Sequence, residues 1–142
     1  MSTSGRILAL DFGSKRIGLA LSDPLRIFAK PLKVIPNNGF PAVLEALRAV
    51  IAEHSAGLVL VGMPYAIEGG NTPKTDETRA FADKLAAALE TPVQTWDERY
   101  STAEAVEEMI RLGYDWKQRR EFQDAMAAAM ILKSFLESQC PR

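Results

Sequence analysis

The chain is poor in the residues that make disulfides, zinc sites and membrane spans. It has one cysteine, Cys140, and one histidine, His54, among its 142 residues. A lone cysteine forms no intramolecular disulfide, and neither residue has the spacing of a zinc-binding set. No apolar run approaches the roughly 20 residues that span a bilayer, and the polar start, MSTSGR, lacks the apolar segment of a secretory signal. We therefore expect a cytoplasmic protein with no membrane partner.

An excess of basic residues is also missing. Lys and Arg number 17 against 18 Asp and Glu, which gives a net charge of −1. Nucleic-acid-binding domains usually carry a basic surface, so this balance counts modestly against a polyanionic partner. It does not exclude one, because a nuclease places carboxylates beside phosphates and metal ions supply the positive charge there. The hydrophobic content of 47% is typical of a globular protein, and we expect one domain over residues 1–142.

The pattern of apolar residues predicts an α/β fold. Three strands at 6–11, 16–22 and within 27–35 are separated by turn residues and form a meander. The period then changes, and helices alternate with strands. Beyond the meander we predict a helix from 43 to about 55, a strand at 58–61, a loop at 65–76, a helix at 77–89, a strand at 93–96 and helices at 101–113 and 121–136. This order predicts a mixed five-stranded sheet with helices on both faces.

Acidic residues follow two of the predicted strands. Asp11 ends the first strand, and Asp97 and Glu98 come directly after the strand that ends at Trp96. Ligands of open α/β sheets bind beyond the carboxyl ends of parallel strands, so these acids are expected over the same edge. Neighbours at a strand end point in opposite directions, and only one of Asp97 and Glu98 can face the site. Spacing alone does not choose between them.

A third acid, Asp124, lies on the predicted last helix. Ala127, Ala128 and Ile131 share its face, and such a small apolar face can pack closely on a sheet. A carboxylate there calls for a partner, because an unpaired buried charge is costly. Carboxylate oxygens suit Mg²⁺ or Mn²⁺, and a pair of such ions would support in-line cleavage of a phosphodiester.

Each acid also has a purely structural interpretation. Asp11, just before Gly13, could only form a turn. Asp97 or Glu98 could pair with Arg99 or supply negative charge ahead of the next helix, and an acid near the start of the last helix could serve its dipole.

Basic residues beside the acids are candidate phosphate contacts. Lys15 and Arg16 follow the first strand, and Arg99 directly follows Glu98. Exposed basic residues are about as often plain solvated charges, and Arg99 could instead make a structural ion pair. We expect Lys15, Arg16 and Arg99 to bind substrate.

Four stretches of the chain resemble the YqgF/RuvX family. They are LALDFGSKRIGLALSD at 8–23, VLVGMPYAIEGG at 59–70, DERYSTAEA at 97–105 and DAMAAAMILKSFL at 124–136. The family often has a Leu-Asn-Met-Asp-Gly loop where this chain has YAIEG at 65–69. The resemblance implies a ribonuclease H-like fold and a nuclease linked to 5′ maturation of pre-16S ribosomal RNA and to Holliday-junction resolution.

The same resemblance implies which acids bind metal. Asp11, Glu98 and Asp124 match the family's metal-binding positions, which favours Glu98 over Asp97. The catalytic and metal-binding residues implied are therefore Asp11, Glu98 and Asp124, with a two-ion Mg²⁺ or Mn²⁺ site.

These observations favour a metal-dependent nuclease that acts on structured RNA, with pre-16S ribosomal RNA as the favoured substrate. One alternative is a Holliday junction resolvase acting on branched DNA, for which a symmetric homodimer would be suited. Another is a non-catalytic RNA-binding factor of ribosome assembly. The actin, sugar-kinase and chaperone ATPases begin with a similar acid–glycine hairpin. They need two such domains to enclose ATP, and the length of this chain argues against them.

Overall fold

The computed structural model describes residues 5–100, 107, 110–115, 117–118 and 123–139. Seven strands and helices follow one another in the predicted order, then a short 3₁₀ turn, and one more helix is described near the end of the chain. The elements are β1 (Arg6–Asp11), β2 (Arg16–Ser22), β3 (Ala29–Pro36), α1 (Phe40–His54), β4 (Ala56–Met63), α2 (Pro73–Ala88), β5 (Val93–Asp97), a 3₁₀ turn (Glu98–Tyr100) and α3 (Gln123–Gln139).

The five strands form one mixed sheet in the order β3-β2-β1-β4-β5. The strands β1, β2 and β3 are antiparallel neighbours, whereas β4 runs parallel to both β1 and β5. The predicted meander followed by parallel strands is therefore confirmed. In this order β4 separates β1 from β5, and the carboxyl ends of all three lie at one edge of the sheet.

Helices cover both faces of the sheet, as predicted. Alternate strand residues such as Leu8 and Leu10 point to one face and pack with Leu47 of α1 and Leu85 of α2. The intervening residues, Ile7 and Ala9 among them, point to the other face, where α3 packs through its alanines and larger apolar side chains. The two clusters place α3 alone, among the described elements, on the second face.

Several predicted bounds need correction. The fourth strand extends over Ala56–Met63 rather than 58–61, because it pairs with β1 from Ala56 and with β5 as far as Met63. The second helix begins at Pro73, four residues before the predicted start at 77. The reason is local: Pro73 suits the first helical position, and Thr72 caps the helix by accepting from the backbone N–H of Thr75. The predicted helix over 101–113, with its Ser101–Glu104 capping box, lies largely outside the described residues.

Trp96 of β5 and Phe135 of α3 pack together on the second face of the sheet. Phe135 is buried, and its ring contacts the half-buried ring of Trp96 edge-to-face at a centroid distance of 5.2 Å. The Nε1 of Trp96 donates to the hydroxyl of Ser134 at 3.1 Å. This contact fixes α3 against the end of β5. Within the described ranges, no helix is long and apolar enough to cross a membrane.

Candidate active site

Asp11 is the last residue of β1, at the carboxyl edge of the sheet. The next residue, Phe12, is buried and stacks on Phe81 of α2 with ring centroids 4.4 Å apart. In the antiparallel pair with β2, Asp11 lies opposite Gly18. The pairing of Asp11 with β2 and the packing of Phe12 against α2 therefore fix the backbone that carries the Asp11 carboxylate.

Asp124 reaches the same place from the other face, in the first turn of α3. A Cβ at Gly18 would overlap the carbonyl oxygen of Asp124, so only glycine allows the helix to come this close to β2. The Nε of Arg16 lies 2.8 Å from Oδ2 of Asp124. Glycine at the position opposite Asp11 thus brings the second acid next to the first.

Glu98 follows β5 and begins the 3₁₀ turn. The strand β4 lies between β1 and β5, and at its end stands Gly62, paired with Trp96. A Cβ at Gly62 would lie 3.2 Å from Oε2 of Glu98. A bare backbone at this point of β4 leaves room for the Glu98 side chain on the side of the sheet that faces Asp11 and Ile131.

Asp97 turns away from this site and pairs with Arg99. The Nε of Arg99 donates to both carboxylate oxygens of Asp97 at 3.0 Å, and the hydrogen bonds hold the pKa of that carboxyl below its usual range. The same guanidinium donates to the carbonyl oxygens of Ala66 and Ile67 and lies over the ring of Tyr65. Arg99 therefore ties the 65–69 loop to the strand end beside Glu98.

Burial and neighbouring acids raise the pKa of Asp11 and Glu98. Burial, opposed by the charge of Lys74 and reinforced by that of Asp124, raises the pKa of Asp11 to about 6. Burial and then the charge of Asp11 raise the pKa of Glu98 above its ordinary value. Asp11 thus interacts electrostatically with both of the other acids, and the negative charge gathered here is only partly balanced by the chain itself.

Lys74 is a site residue that the sequence did not single out. It stands in the first turn of α2, which is fixed to the end of β4 because the Thr75 hydroxyl donates to the carbonyl of Pro64 at 2.6 Å. Its charge lowers the pKa of both Asp11 and Glu98. The sequence signal was present but ambiguous, since a lysine in a polar loop-to-helix segment is usually a solvated charge.

The donor set fits a hard divalent cation. All three acids offer oxygen, and a bound cation would offset the burial and the repulsion that raise the pKa of Asp11 and Glu98. As the side chains stand, no three acidic, histidine or cysteine residues in the described part of the chain are close enough together to hold one ion. Asp124 is hydrogen-bonded to Arg16 instead. The residues that would hold Mg²⁺ or Mn²⁺ are Asp11, Glu98 and Asp124.

The three residues predicted to bind substrate differ in exposure and in the groups they contact. Lys15 is exposed in the turn between β1 and β2, where its carbonyl accepts from the backbone N–H of Asn37. Arg16 is 64% exposed but paired with Asp124, and Arg99 is engaged with Asp97 and the 65–69 loop. Substrate binding by these three residues stays a prediction. The basic pair 119–120 and Cys140 lie outside the described residues.

The chain matches a known family over almost its whole length. Residues 5–138 match the family model described as "RuvX: Holliday junction resolvase". A relative from Pelotomaculum thermopropionicum, named "Putative pre-16S rRNA nuclease", is 43% identical over 94% of this chain and 88% of its own length. A relative of the same name from Koribacter versatilis is 41% identical over 94% and 87%.

Solved structures share the fold at low identity. RuvC of T. thermophilus in complex with a Holliday junction substrate superposes with a TM-score of 0.62 at 16% identity, over 95% of both chains. The Fowlpox virus resolvase bound to junction DNA gives 0.61 at 12% identity, over 96% of this chain and 99% of that one. These likenesses show the ribonuclease H-like fold that the sequence predicted. With the family match over residues 5–138, they lead to one conclusion: the chain belongs to the RuvX family of nucleases.

Proposed function

We propose that this chain hydrolyses phosphodiester bonds in nucleic acid with divalent metal ions held by Asp11, Glu98 and Asp124. The single observation that carries the proposal is the convergence of these acids at one sheet edge. Each comes from a different element, and the pKa of two of them is raised by burial and by a neighbouring acid. In a purely structural set each acid would be expected to form an ion pair with a basic residue, whereas in the described part of the chain only Asp124 of these three does so, with Arg16.

The chain's own residues prepare this edge for a phosphate. Gly18 and Gly62 keep side chains out of the space beside Asp124 and Glu98. Lys74 adds a positive charge near the acids, and Arg99 holds the neighbouring loop. When bound, the ions supply a water activated for in-line attack and charge on the leaving oxygen.

Structured RNA is the substrate class that we favour, with 5′-end processing of pre-16S ribosomal RNA as the task. The relatives at 43% and 41% identity carry that activity in their names. A second candidate is cleavage of branched DNA, which is favoured by the description of the family model as a Holliday junction resolvase. Paired cuts on a junction would suit a symmetric homodimer, which stays a prediction.

Cleavage assays with matched variants test the proposal. Labelled RNA spanning the 5′ end of 16S ribosomal RNA and a four-way DNA junction are incubated with Mg²⁺ or Mn²⁺. We expect Asp11→Asn, Glu98→Gln and Asp124→Asn each to lower the cleavage rate more than about 100-fold, beyond the range typical of residues that only support a metal ligand. Asp83→Asn, at an exposed acid of α2, should cleave as the wild type does.

The same assay distinguishes the two candidate substrates, and one of its outcomes would contradict the proposed site. Faster cutting of the RNA supports a processing nuclease, and faster symmetric cutting of the junction supports a resolvase. Equal activity in the wild type and the three acid variants, each shown to be folded by thermal unfolding, would mean that another site or a contaminant does the cutting.

A further inference from the structure

A cavity of about 580 Å³ opens at the end of the sheet opposite to the acids. Arg6, the first residue of β1, lines it, whereas Asp11 ends the same strand. Five residues of extended chain separate the two, which is roughly 17 Å. The cavity therefore lies apart from the proposed metal site. Its wall continues through the end of β2 and the start of β3 and is completed by Leu112, Gly113, Tyr114 and Gln118.

One wall of the cavity carries an aromatic ring on a well-held loop. Phe28 is 68% exposed, yet its backbone N–H and that of Ile27 both donate to Oδ1 of Asp23 at 2.7 Å. Arg26 fastens the same loop to the start of β1 by donating to the carbonyl of Gly5 at 2.9 Å. A ring presented in a fixed position loses little conformational freedom when it stacks on a ligand.

The rest of the wall combines aromatic, positively charged and amide side chains, which are the groups that bind the base and phosphate of a nucleotide. Tyr114, packed partly against the apolar cluster under α3, adds a second aromatic side chain. Arg6 and Lys30 supply two positive charges, and the exposed Gln118, whose Oε1 accepts from the backbone N–H of Asp115, supplies an amide NH₂ that can donate. Stacking surfaces together with cations are the features that bind single-stranded nucleic acid.

Two lysines lie on the edge strand that extends from this cavity. The strand β3 is the edge strand, and its pairing with β2 is irregular between Leu19 and Ala20. Lys33 pairs with Leu19 and Lys30 with Leu21, two positions that share a face of β2. The irregularity therefore sets two exposed lysines three residues apart on one face of β3, the face on which α1 and α2 pack. The strand then reaches Pro36, which pairs with Arg16 beside the acids.

We propose that the cavity holds an unpaired nucleotide of the same nucleic-acid strand that the metal site cuts. The inference rests on the proposed function for its ligand, but the binding it describes is independent of cleavage. The strand runs from the acids to the edge strand β3, where Lys33 and Lys30 reach its phosphates around the free edge of the sheet, and a base stacks on Phe28. The separation of the two sites corresponds to roughly five nucleotides at a stacked rise of 3.4 Å.

A protein partner is the competing occupant, because Leu25 and Ile27 are also exposed next to the cavity. The charges favour nucleic acid. Arg6 and Lys30 line the cavity, and Asp23, the one acid among the described residues of its wall, has an oxygen engaged by two backbone N–H groups. A polyanion with flat bases satisfies both the cations and the exposed ring.

Binding of a fluorescein-labelled single-stranded RNA of about ten nucleotides, followed by anisotropy in EDTA, tests the proposal without cleavage. We expect Phe28→Ala to weaken binding about tenfold, a typical loss for one base-stacking ring. Lys30→Ala should weaken it less and should flatten the salt dependence. Two controls should bind as the wild type does: Leu25→Ala, an exposed position on the same loop outside the cavity wall, and Lys84→Ala on α2.

A second assay measures the reach of the strand. Cleavable substrates carry single-stranded tails of about two or about eight nucleotides, at either end, and the longer tail is expected to lower KM in the wild type. In Phe28→Ala that advantage should disappear while kcat stays the same.

The outcomes separate this inference from the proposed function. If RNA binds through Phe28 but no substrate is cut, the nuclease proposal fails and the nucleotide site stands. If cleavage is normal and Phe28→Ala changes neither RNA binding nor the tail effect, the nucleotide site is wrong. Binding of an acidic, phenylalanine-containing peptide through Phe28, with RNA binding unchanged, would identify a protein-docking surface and also overturn the proposal.

Discussion

The Nε atom of Arg16 donates a hydrogen bond of 2.8 Å to Oδ2 of Asp124, joining residues 108 positions apart. A basic residue expected to contact phosphate thus neutralises an acid expected to bind metal. The two expectations are compatible only if Asp124 exchanges Arg16 for a cation. We therefore expect Arg16 to leave Asp124 when the metal binds and then to contact the substrate.

Removal of Arg16 should strengthen metal binding. In Arg16→Ala the Asp124 carboxylate loses its competing cation, and the local potential becomes more negative. Exposed ion pairs are worth up to about 1 kcal/mol, so the affinity for Mn²⁺ should rise by up to about fivefold. Titration calorimetry with Mn²⁺ measures this, with Arg48→Ala on α1 as the control. Weaker Mn²⁺ binding in Arg16→Ala would show that Arg16 supports the site instead of competing for it.

Gly18→Ala should displace Asp124 and so disrupt the site. The added methyl group would overlap the Asp124 backbone, and the start of α3 would have to move away from β2. We expect a loss of about 1–3 kcal/mol in the free energy of unfolding, typical of overpacking, together with a large drop in cleavage. Urea unfolding and the RNA cleavage assay measure the two effects.

Gly70→Ala is the matched control for Gly18→Ala. A Cβ at Gly70 meets no atom within 4 Å, and its backbone does not have a positive φ. It should leave both stability and cleavage near their wild-type values. Full activity in Gly18→Ala would mean that the position of Asp124 matters less than the geometry suggests.

The sequence predicted the ends of the strands better than the contacts between them. The hydrophobic run before Asp11 and the short strand before Glu98 placed both acids at one sheet edge, because parallel strands end together. Nothing local showed that β4 would lie between them or that Gly62 would leave space there. The Arg16–Asp124 pair could not be predicted either, since it depends on how closely α3 packs at Gly18.

The start of α2 illustrates a different kind of error. The apolar period begins only at Phe81, so a period-based reading places the start of the helix too late. The capping residues Thr72, Pro73 and Thr75 set the true start, and these residue types are a sequence signal for a helix N-terminus. That shift of one turn is what brings Lys74 from a loop onto the helix.

Stability of the metal-free protein should depend on the ionisation of Asp11. Its pKa is raised from 3.8 to about 6 in the fold, so the folded state binds that proton more tightly than the unfolded state does. The contribution of Asp11 to the free energy of unfolding therefore increases as the pH falls through about 6 and levels off below the unfolded value. Asp11→Asn removes this dependence.

We expect metal-free Asp11→Asn to be more stable than the wild type at about pH 7.5, by on the order of 1–3 kcal/mol, and the difference to vanish near pH 4. Denaturant unfolding in EDTA across this range measures it, with Asp83→Asn as a control that should track the wild type. A destabilised Asp11→Asn at neutral pH would show that the Asp11 carboxylate is satisfied within the fold.

Lys74→Met should shift the pH dependence of cleavage. The positive charge of Lys74 lowers the pKa of Asp11 and Glu98, so its removal should raise both and move the acid limb of the pH–rate profile to higher pH. Lys84→Met, farther along the same helix, should leave the profile unchanged. An acid limb that stays in place in Lys74→Met would mean that neither carboxylate limits the rate at low pH.

The central claim is that Asp11, Glu98 and Asp124 hold metal ions together. Anomalous diffraction from a crystal soaked in Mn²⁺ tests it most directly, because the signal locates manganese without reference to activity. We expect a strong peak within coordination distance, about 2.0–2.3 Å, of carboxylate oxygens from all three acids, with the Arg16 side chain displaced from Asp124. Saturating Mn²⁺ that leaves the Arg16–Asp124 pair closed, with no peak between the three acids, would contradict it.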